Sequence, residues 1–214
     1  MSPRPRFHRL EPDKKAAILQ AAALEFAEHG YEDASLNRII ESAGISKGAM
    51  YYYFDDKADL YATCARDLIA SSLASLDWNV RVEDADAFWA RIGELFDGAI
   101  EKTVEDPMVF AFGRSFVKTP AALREHPGVV EFLDEIQQYM RQILEEGQRV
   151  GAVRTDLPLA LLIRVLFVVD EAMDTFFYEA IERGDPVDFA SLVPMYVDMQ
   201  RRIVAPEYPT EKKP

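Results

Sequence analysis

Residues 35–57 read SLNRIIESAGISKGAMYYYFDDK, and their punctuation is that of two short helices joined by a tight turn. The Ser35 side chain can accept from the free N–H groups that open a helix. Leu36, Ile39, Ile40 and Ala43 then recur at helical spacing and give that helix one apolar face. Gly44 follows the last apolar position, where a left-handed residue ends many helices, and Ile45 is an apolar plug in the turn. Ser46 can cap a second helix running from Lys47 to about Tyr53. Small side chains at Gly48 and Ala49 let the start of that helix come close to base edges, as a DNA-reading helix must. Tyr51, Tyr52 and Tyr53 are consecutive, and at about 100° per residue they cannot share one face, so at least one or two of them point outward.

Apolar-turn-glycine punctuation alone belongs to any short helical hairpin. Its combination with SKGAMYYYFDDKADL from Ser46 to Leu60 is more specific. This stretch resembles the end of the DNA-binding domain in the tetracycline-repressor (TetR) family of bacterial regulators. The upstream AAALEFAEHGYEDASLNRIIESAGIS is similar to the first two helices of that family, including Phe26, Gly30, Tyr31, Ser35 and Gly44. The likeness spans about residues 13 to 62 and fades beyond them. It implies an all-α fold: a three-helix N-terminal head with a helix-turn-helix, joined by a long fourth helix to a helical body for dimerisation and ligand sensing. It also implies roles for single residues. Ser35, Tyr51, Tyr52 and Lys57 match phosphate-contacting positions, while Asn37, Lys47, Gly48, Ala49 and Tyr53 match positions that approach bases or the sugar-phosphate edge. Ser46 completes the expected DNA-binding set, and Tyr53 replaces a histidine frequent in the family.

Net charge runs against nucleic-acid binding at first sight, because the chain stands at −13. The excess is uneven. Residues 1–57 hold eight Lys/Arg against nine Asp/Glu, whereas residues 58–214 hold 16 against 28. A nearly neutral head on an acidic body leaves orientation on the duplex to the head. Arg4, Arg6 and Arg9 lie on an N-terminal arm whose Pro3 and Pro5 favour extension, either into a minor groove or as a solvated tail. The sole cysteine, Cys64, excludes an internal disulfide framework and reads as a buried thiol in a reducing cytoplasm. The basic, proline-containing start is no signal peptide, and no uncharged apolar run approaches a membrane span, so the expected location is cytoplasmic.

The pattern predicts helices over Asp13–His29, closed by Gly30, and from about Lys57 to Ser75. Others run from Asp84 or Asp86 to about Val104, Pro107 to about Val117, and 128 to 149. A further helix starts with Asp156 and Pro158 as N-cap and first turn and runs to about Arg183, where Gly184-Asp185-Pro186 breaks it. The last covers about 187–204, with Pro194 as a kink or second start. The expected division is 1–57 for DNA binding with its arm, 58–205 for dimerisation and effector binding, and 206–214 as a disordered tail.

LPLALLIRVLFVV, from Leu157 to Val169, is apolar almost all round and must be covered on more than one side. Phe189, Leu192, Tyr196, Met199 and Ile203 form one stripe on the last helix. Two such helices from each of two subunits make a four-helix homodimer interface, for which Leu162, Val165, Val169, Phe189, Leu192, Tyr196 and Met199 are the candidates. A dimer also gives two reading heads for the two half-sites of a palindrome. Large side chains on the body helices are candidates for an effector pocket: Trp89, Phe96, Phe112, Phe116, Tyr139, Met140, Met173 and Phe177. Asp97, Asp170, Glu171 and Asp174 are acidic positions among them that could meet a cationic ligand or stay solvated.

No cofactor, metal or catalytic residue is expected. None of the three histidines has a glutamate three residues before it, as carboxylate di-metal bundles require, and GxxxxGK[ST], GxGxxG and HExxH are absent. Ser115-Phe-Val-Lys118 spells SxxK without its companion motifs. The expected function is therefore a ligand-responsive transcriptional regulator, a repressor by the family's habit, that binds a palindromic operator as a homodimer and is released by a small hydrophobic effector. The competing reading is a helical small-molecule-binding protein whose DNA-binding head is not functional.

Overall fold

The computed structural model describes residues 3–74, 76–120, 123 and 125–206. Among these residues there are ten helices and no strand: α1 (Pro5–His8), α2 (Pro12–Asp33), α3 (Leu36–Ser42), α4 (Lys47–Tyr53), α5 (Lys57–Ala74), α6 (Ala85–Glu105), α7 (Pro107–Val117), α8 (Pro127–Arg149), α9 (Leu159–Arg183) and α10 (Phe189–Val204). The all-α class expected from the sequence is the one observed. The chain divides by packing into two compact units, one of Met1–Ser75 with Lys102–Glu135 and one of Leu76–Glu101 with Ile136–Pro214. Of the tail expected from 206, residues 207–214 lie outside the described ones.

Local chemistry sets the helix ends. Asp84, and not Asp86, caps α6, its carboxylate accepting from the Ala87 amide at 2.9 Å. Asp106 caps α7 by accepting from the amides of Met108 (2.9 Å) and Val109 (3.2 Å), with Pro107 at the first helical position. Gly184 ends α9 in the left-handed conformation, φ 75°, as the Gly-Asp-Pro break predicts. Two expectations need correction. Asp156 does not cap α9, whose N-cap is Pro158; its carboxylate instead takes the Arg154 guanidinium at 2.6 and 2.7 Å. Pro194 starts no second helix, since α10 continues through it from Phe189 to Val204.

In the first unit α2 packs on α3, α5 and α7. Ile18, Ala22 and Phe26 of α2, Ile39 of α3, Met50 of α4, and Leu60, Tyr61 and Cys64 of α5 are fully buried. Each large apolar side chain so buried contributes about 1.5–3 kcal/mol. Tyr61 lies at the centre. Its ring meets Phe26 edge-on at 4.8 Å and stacks on Phe112 at 5.2 Å, while its hydroxyl shares a hydrogen bond with Thr119 at 2.8 Å. Burial pushes that phenol up to about 12. Cys64 is the buried thiol expected from its place on a core helix, and burial raises its pKa well above the ordinary thiol value.

In the second unit Phe88, Trp89, Ile92 and Leu95 of α6 pack with Leu144 of α8, Ala152 and Val153 of the following turn, Leu162, Ile163 and Leu166 of α9, and Val204 of α10. At Gly147 of α8 the backbone runs close against this core: a Cβ there would stand 2.5 Å from Val153 Cγ2 and 2.8 Å from the Phe88 ring.

Candidate nucleic-acid interface

The helix-turn-helix forms from the residues that announced it. Ser35 Oγ accepts from the Arg38 amide at 3.4 Å and opens α3, and Gly44 turns the chain at φ 62°. Ser46 Oγ accepts from the Ala49 amide at 3.1 Å and opens α4. Helical phase then sorts α4. Met50 and Tyr53 turn inward, whereas Ser46, Lys47, Gly48, Tyr51 and Tyr52 are exposed, Tyr51 and Tyr52 at 45 and 47 %. An added Cβ at Gly48 would touch only Ser46 Oγ, at 3.8 Å. Nothing among the described residues therefore needs a glycine at 48.

Three side-chain clusters hold this hairpin in place. Glu25, nearly buried on α2, takes the Ser35 amide at 2.7 Å and the Arg38 Nε at 2.8 Å, and Arg38 also donates to the Asp33 carbonyl at 3.0 Å. Burial alone would raise the Glu25 pKa; the hydrogen bonds from Arg38 and the Ser35 amide outweigh it and leave the carboxyl below its usual value. At the start of α5, Asp56 accepts from the Asp59 amide while Asp59 accepts from the Asp55 amide, both at 2.8 Å, a reciprocal cap that fixes the turn after α4. Lys57 then donates to the carbonyls of Glu32 (3.0 Å) and Ala34 (3.2 Å), its ammonium 4.6 Å from the centre of the Tyr31 ring.

Residues 3–10 complete the arrangement. They neither extend from the head nor trail as a tail. Phe7 is buried against Phe54 (4.8 Å between ring centres) and Tyr53 (6.2 Å), and Arg4 grips the far end of α4. Arg4 donates from its backbone to the Tyr53 carbonyl (3.1 Å) and from its guanidinium to the Tyr51 carbonyl (2.6 Å) and the Asp55 carboxylate.

Over residues 18–64 this head matches the family of bacterial regulatory proteins named for tetR. The HTH-type transcriptional repressor AcnR of Corynebacterium efficiens is 28% identical over 158 residues, covering 70% of this chain and 74% of AcnR. The head is a DNA-binding domain of the TetR family. Solved structures of transcriptional regulators agree in fold. A regulator from Shewanella sp. PV-4 superposes with TM-score 0.68 at 19% identity, covering 91% of this chain and 99% of that one. FadR of Bacillus subtilis, solved in complex with stearoyl-CoA, superposes with TM-score 0.66 at 18% identity, covering 86% of this chain and 96% of that one. The protein is thus a transcriptional regulator.

Against this TetR-family frame, some residues expected to face DNA or ligand sit elsewhere. Lys47, Gly48, Tyr51 and Tyr52 share one exposed face of α4, Ser46 is exposed as the cap before it, and Asn37 is exposed on α3, while Ser35 and Ala49 are half-buried. Tyr53 belongs to the head's core, 8 % exposed and turned toward Phe7, because it lies one helical step past the outward pair. Glu25, Arg38, Arg4 and Phe7 were not singled out as supports of the reading helix. Their partners lie up to 51 residues away, beyond any local pattern.

In the body, Leu162 is 2 % exposed within the core of the second unit, so it is no interface residue. Apolar side chains left uncovered include its neighbours Leu161 (45 %), Val165 and Val168 (60 %) on α9, with Phe176 (57 %) further along that helix and Met195 and Met199 on α10. Val169 and Leu192 are half-buried, and the Phe189 side chain lies outside the described ones. Of the pocket candidates, Trp89 is core and Phe112, 1 % exposed against Tyr61, has no surface left for a ligand. Phe116 also stacks toward Tyr61, Tyr139 stacks on Trp78 at 5.0 Å, Phe96 meets Tyr196 edge-on at 4.5 Å, and Met140 packs on the core. Met173 and Phe177 are half-buried on α9. Beside them Asp170 accepts from the Tyr196 hydroxyl and from Gln200 (2.9 Å), yet burial pushes its carboxyl up to about 6. Asp174 is still reached by solvent, but protein crowds it and the Asp170 and Glu171 charges face it, which together push its carboxyl up to about 7.

Proposed function

We propose that this protein with its TetR-family head is a ligand-responsive transcriptional repressor that binds a palindromic DNA operator as a homodimer and lets go when a small hydrophobic effector occupies its body. The observation that carries the DNA half is the outward face of α4. Lys47, Gly48, Tyr51 and Tyr52 are held in place by bonds that use none of their own side-chain polar groups. Lys47 and Asn37 supply direct readout, each good base contact giving about 1–3 kcal/mol of discrimination. Tyr51 and Tyr52 reach phosphates with their hydroxyls, and Ser35 and Ala49 border the same face. Lys57 has one N–H left for a phosphate after its two carbonyl bonds. Residues 1–57 thus read DNA and residues 58–205 dimerise and sense, in the cytoplasm, without a cofactor and without catalysis.

Dimerisation is supported by the uncovered row Leu161, Val165, Val168, Met195 and Met199, which an acidic chain exposes to water unless a second copy covers it. Val169 and Leu192, both half-buried, border the same face. For the effector, Phe96, Met140, Met173 and Phe177 supply apolar surface next to Asp170 and Asp174. FadR is solved with an acyl-CoA, a polyanion. Two carboxyl groups with no basic partner among the described residues disfavour such a ligand here and favour an uncharged or cationic one. Selection of bound sequences from a random duplex library tests the proposal: an enriched palindrome supports it, and no enrichment at low salt by a folded protein overturns it.

A further inference from the structure

The N-terminal segment is folded onto the reading helix, and its charges are unevenly used. Arg4 is neutralised by Asp55. Arg6 lies flat over the Tyr52 ring, 4.2 Å from its centre, and neither Arg6 nor Arg9 makes an ion pair among the described residues. In a chain with 37 acidic residues against 24 basic ones, these two exposed guanidiniums leave a local positive charge beside the reading helix. Both line, with Arg4 and Pro5, an open recess of about 370 Å³, wide enough for a phosphate group and its hydration. The recess cannot drift from α4. Phe7 is buried against Phe54 and Tyr53, and the amides of Phe7, Arg9 and Leu10 close the α1 turn onto the carbonyls of Arg4, Arg6 and Phe7.

We infer that this recess is a DNA backbone phosphate site, in which Arg6, presented by Tyr52, donates to a phosphate flanking the bases that α4 reads, with Arg9 at its rim. It extends the DNA-binding surface beyond residues 18–64, where the family likeness of the head begins and ends. The guanidinium fork suits a phosphate in two-point contact, and stacking on Tyr52 orders it before DNA arrives, so little side-chain freedom is lost on binding. Tyr52 then has two tasks: its hydroxyl faces the duplex and its ring face aims Arg6. The inference rests on the DNA-binding reading given above.

The test measures operator affinity of the full-length protein as a function of salt for the wild type, Arg6→Gln and Arg6→Lys, with thermal melts to confirm folding. Each phosphate contact adds about 0.9 to the slope of log affinity against log salt, so Arg6→Gln is expected to lower the slope by about 0.9 and affinity at ~0.1 M salt about eightfold. Arg6→Lys keeps the charge and is expected to keep the slope while losing part of the affinity. Wild-type slope and affinity in a folded Arg6→Gln overturn the inference, and so does an affinity loss with unchanged slope, which is the mark of a structural role only. A wild-type protein that binds no duplex overturns the DNA-binding reading itself, and the phosphate site with it.

Discussion

Two glycines in one unit should answer the same substitution with opposite signs. Gly93 sits in α6 with nothing within 4 Å of the position a Cβ would take, and Gly147 sits in α8 with Val153 Cγ2 at 2.5 Å and the Phe88 ring at 2.8 and 3.1 Å. Alanine is favoured over glycine inside a helix by about 1 kcal/mol, which is the whole effect expected at Gly93. At Gly147 the same gain meets an overpacked core. Phe88 and Val153 are each 1 % exposed, so neither can swing into solvent to make room. Forcing a methyl group into such a site costs about 1–3 kcal/mol through displaced rotamers and backbone, and contacts below 3 Å place this case at the upper end. Subtracting the propensity gain leaves Gly147→Ala destabilised by about 1–2 kcal/mol, against a gain of about 0.5–1 kcal/mol for Gly93→Ala. Urea unfolding at fixed protein concentration measures both. Stabilisation by Gly147→Ala would refute the packing described for Phe88 and Val153.

Two further perturbations probe the head and the body. Ser46→Ala removes the cap of α4 and is expected to cost about 1 kcal/mol of stability in thermal or urea unfolding; no loss would mean that the Ser46–Ala49 bond contributes nothing. Asp170, whose carboxyl rises from 3.8 to about 6 on folding, binds its proton more tightly when folded, so its contribution to stability is full below about pH 4 and is lost as pH rises through about 6. Asp170→Asn should therefore stabilise the protein by about 1–3 kcal/mol near pH 7.5 and by little near pH 4, measured as unfolding free energy across that range. An offset independent of pH would refute the assignment of that charge to a buried site.

Much of the head could be read directly because its signals are local. Ser35, Gly44 and Ser46 act within four residues of themselves, and the caps and breaks at Asp84, Pro107 and Gly184 do the same. Side-chain direction was harder. Three consecutive tyrosines leave open which one turns inward, and it is Phe7, 46 residues upstream, that settles it for Tyr53. The arm hides its placement for the same reason: two prolines and three arginines speak for extension, and the single Phe7 that anchors it carries no periodic pattern. In α9 the run from Leu157 to Val169 is apolar on every side, so its phase could not be read, and Leu161 rather than Leu162 is the residue left uncovered. Pairs such as Glu25 with Arg38 join helices whose approach only the folded chain reveals.

That α4 reads DNA is tested by comparing the wild type with Lys47→Ala and Tyr51→Phe on the site enriched from a random duplex library, with affinity followed over a range of salt. The expected outcome is a dimer on a palindrome, weakened by rising salt. Lys47→Ala should lose about 1–3 kcal/mol and relax base preference, and Tyr51→Phe should bind more weakly on every sequence. Unchanged affinity in both folded variants would contradict the assignment of α4 and point to a helical ligand-binding protein whose head does not work on DNA.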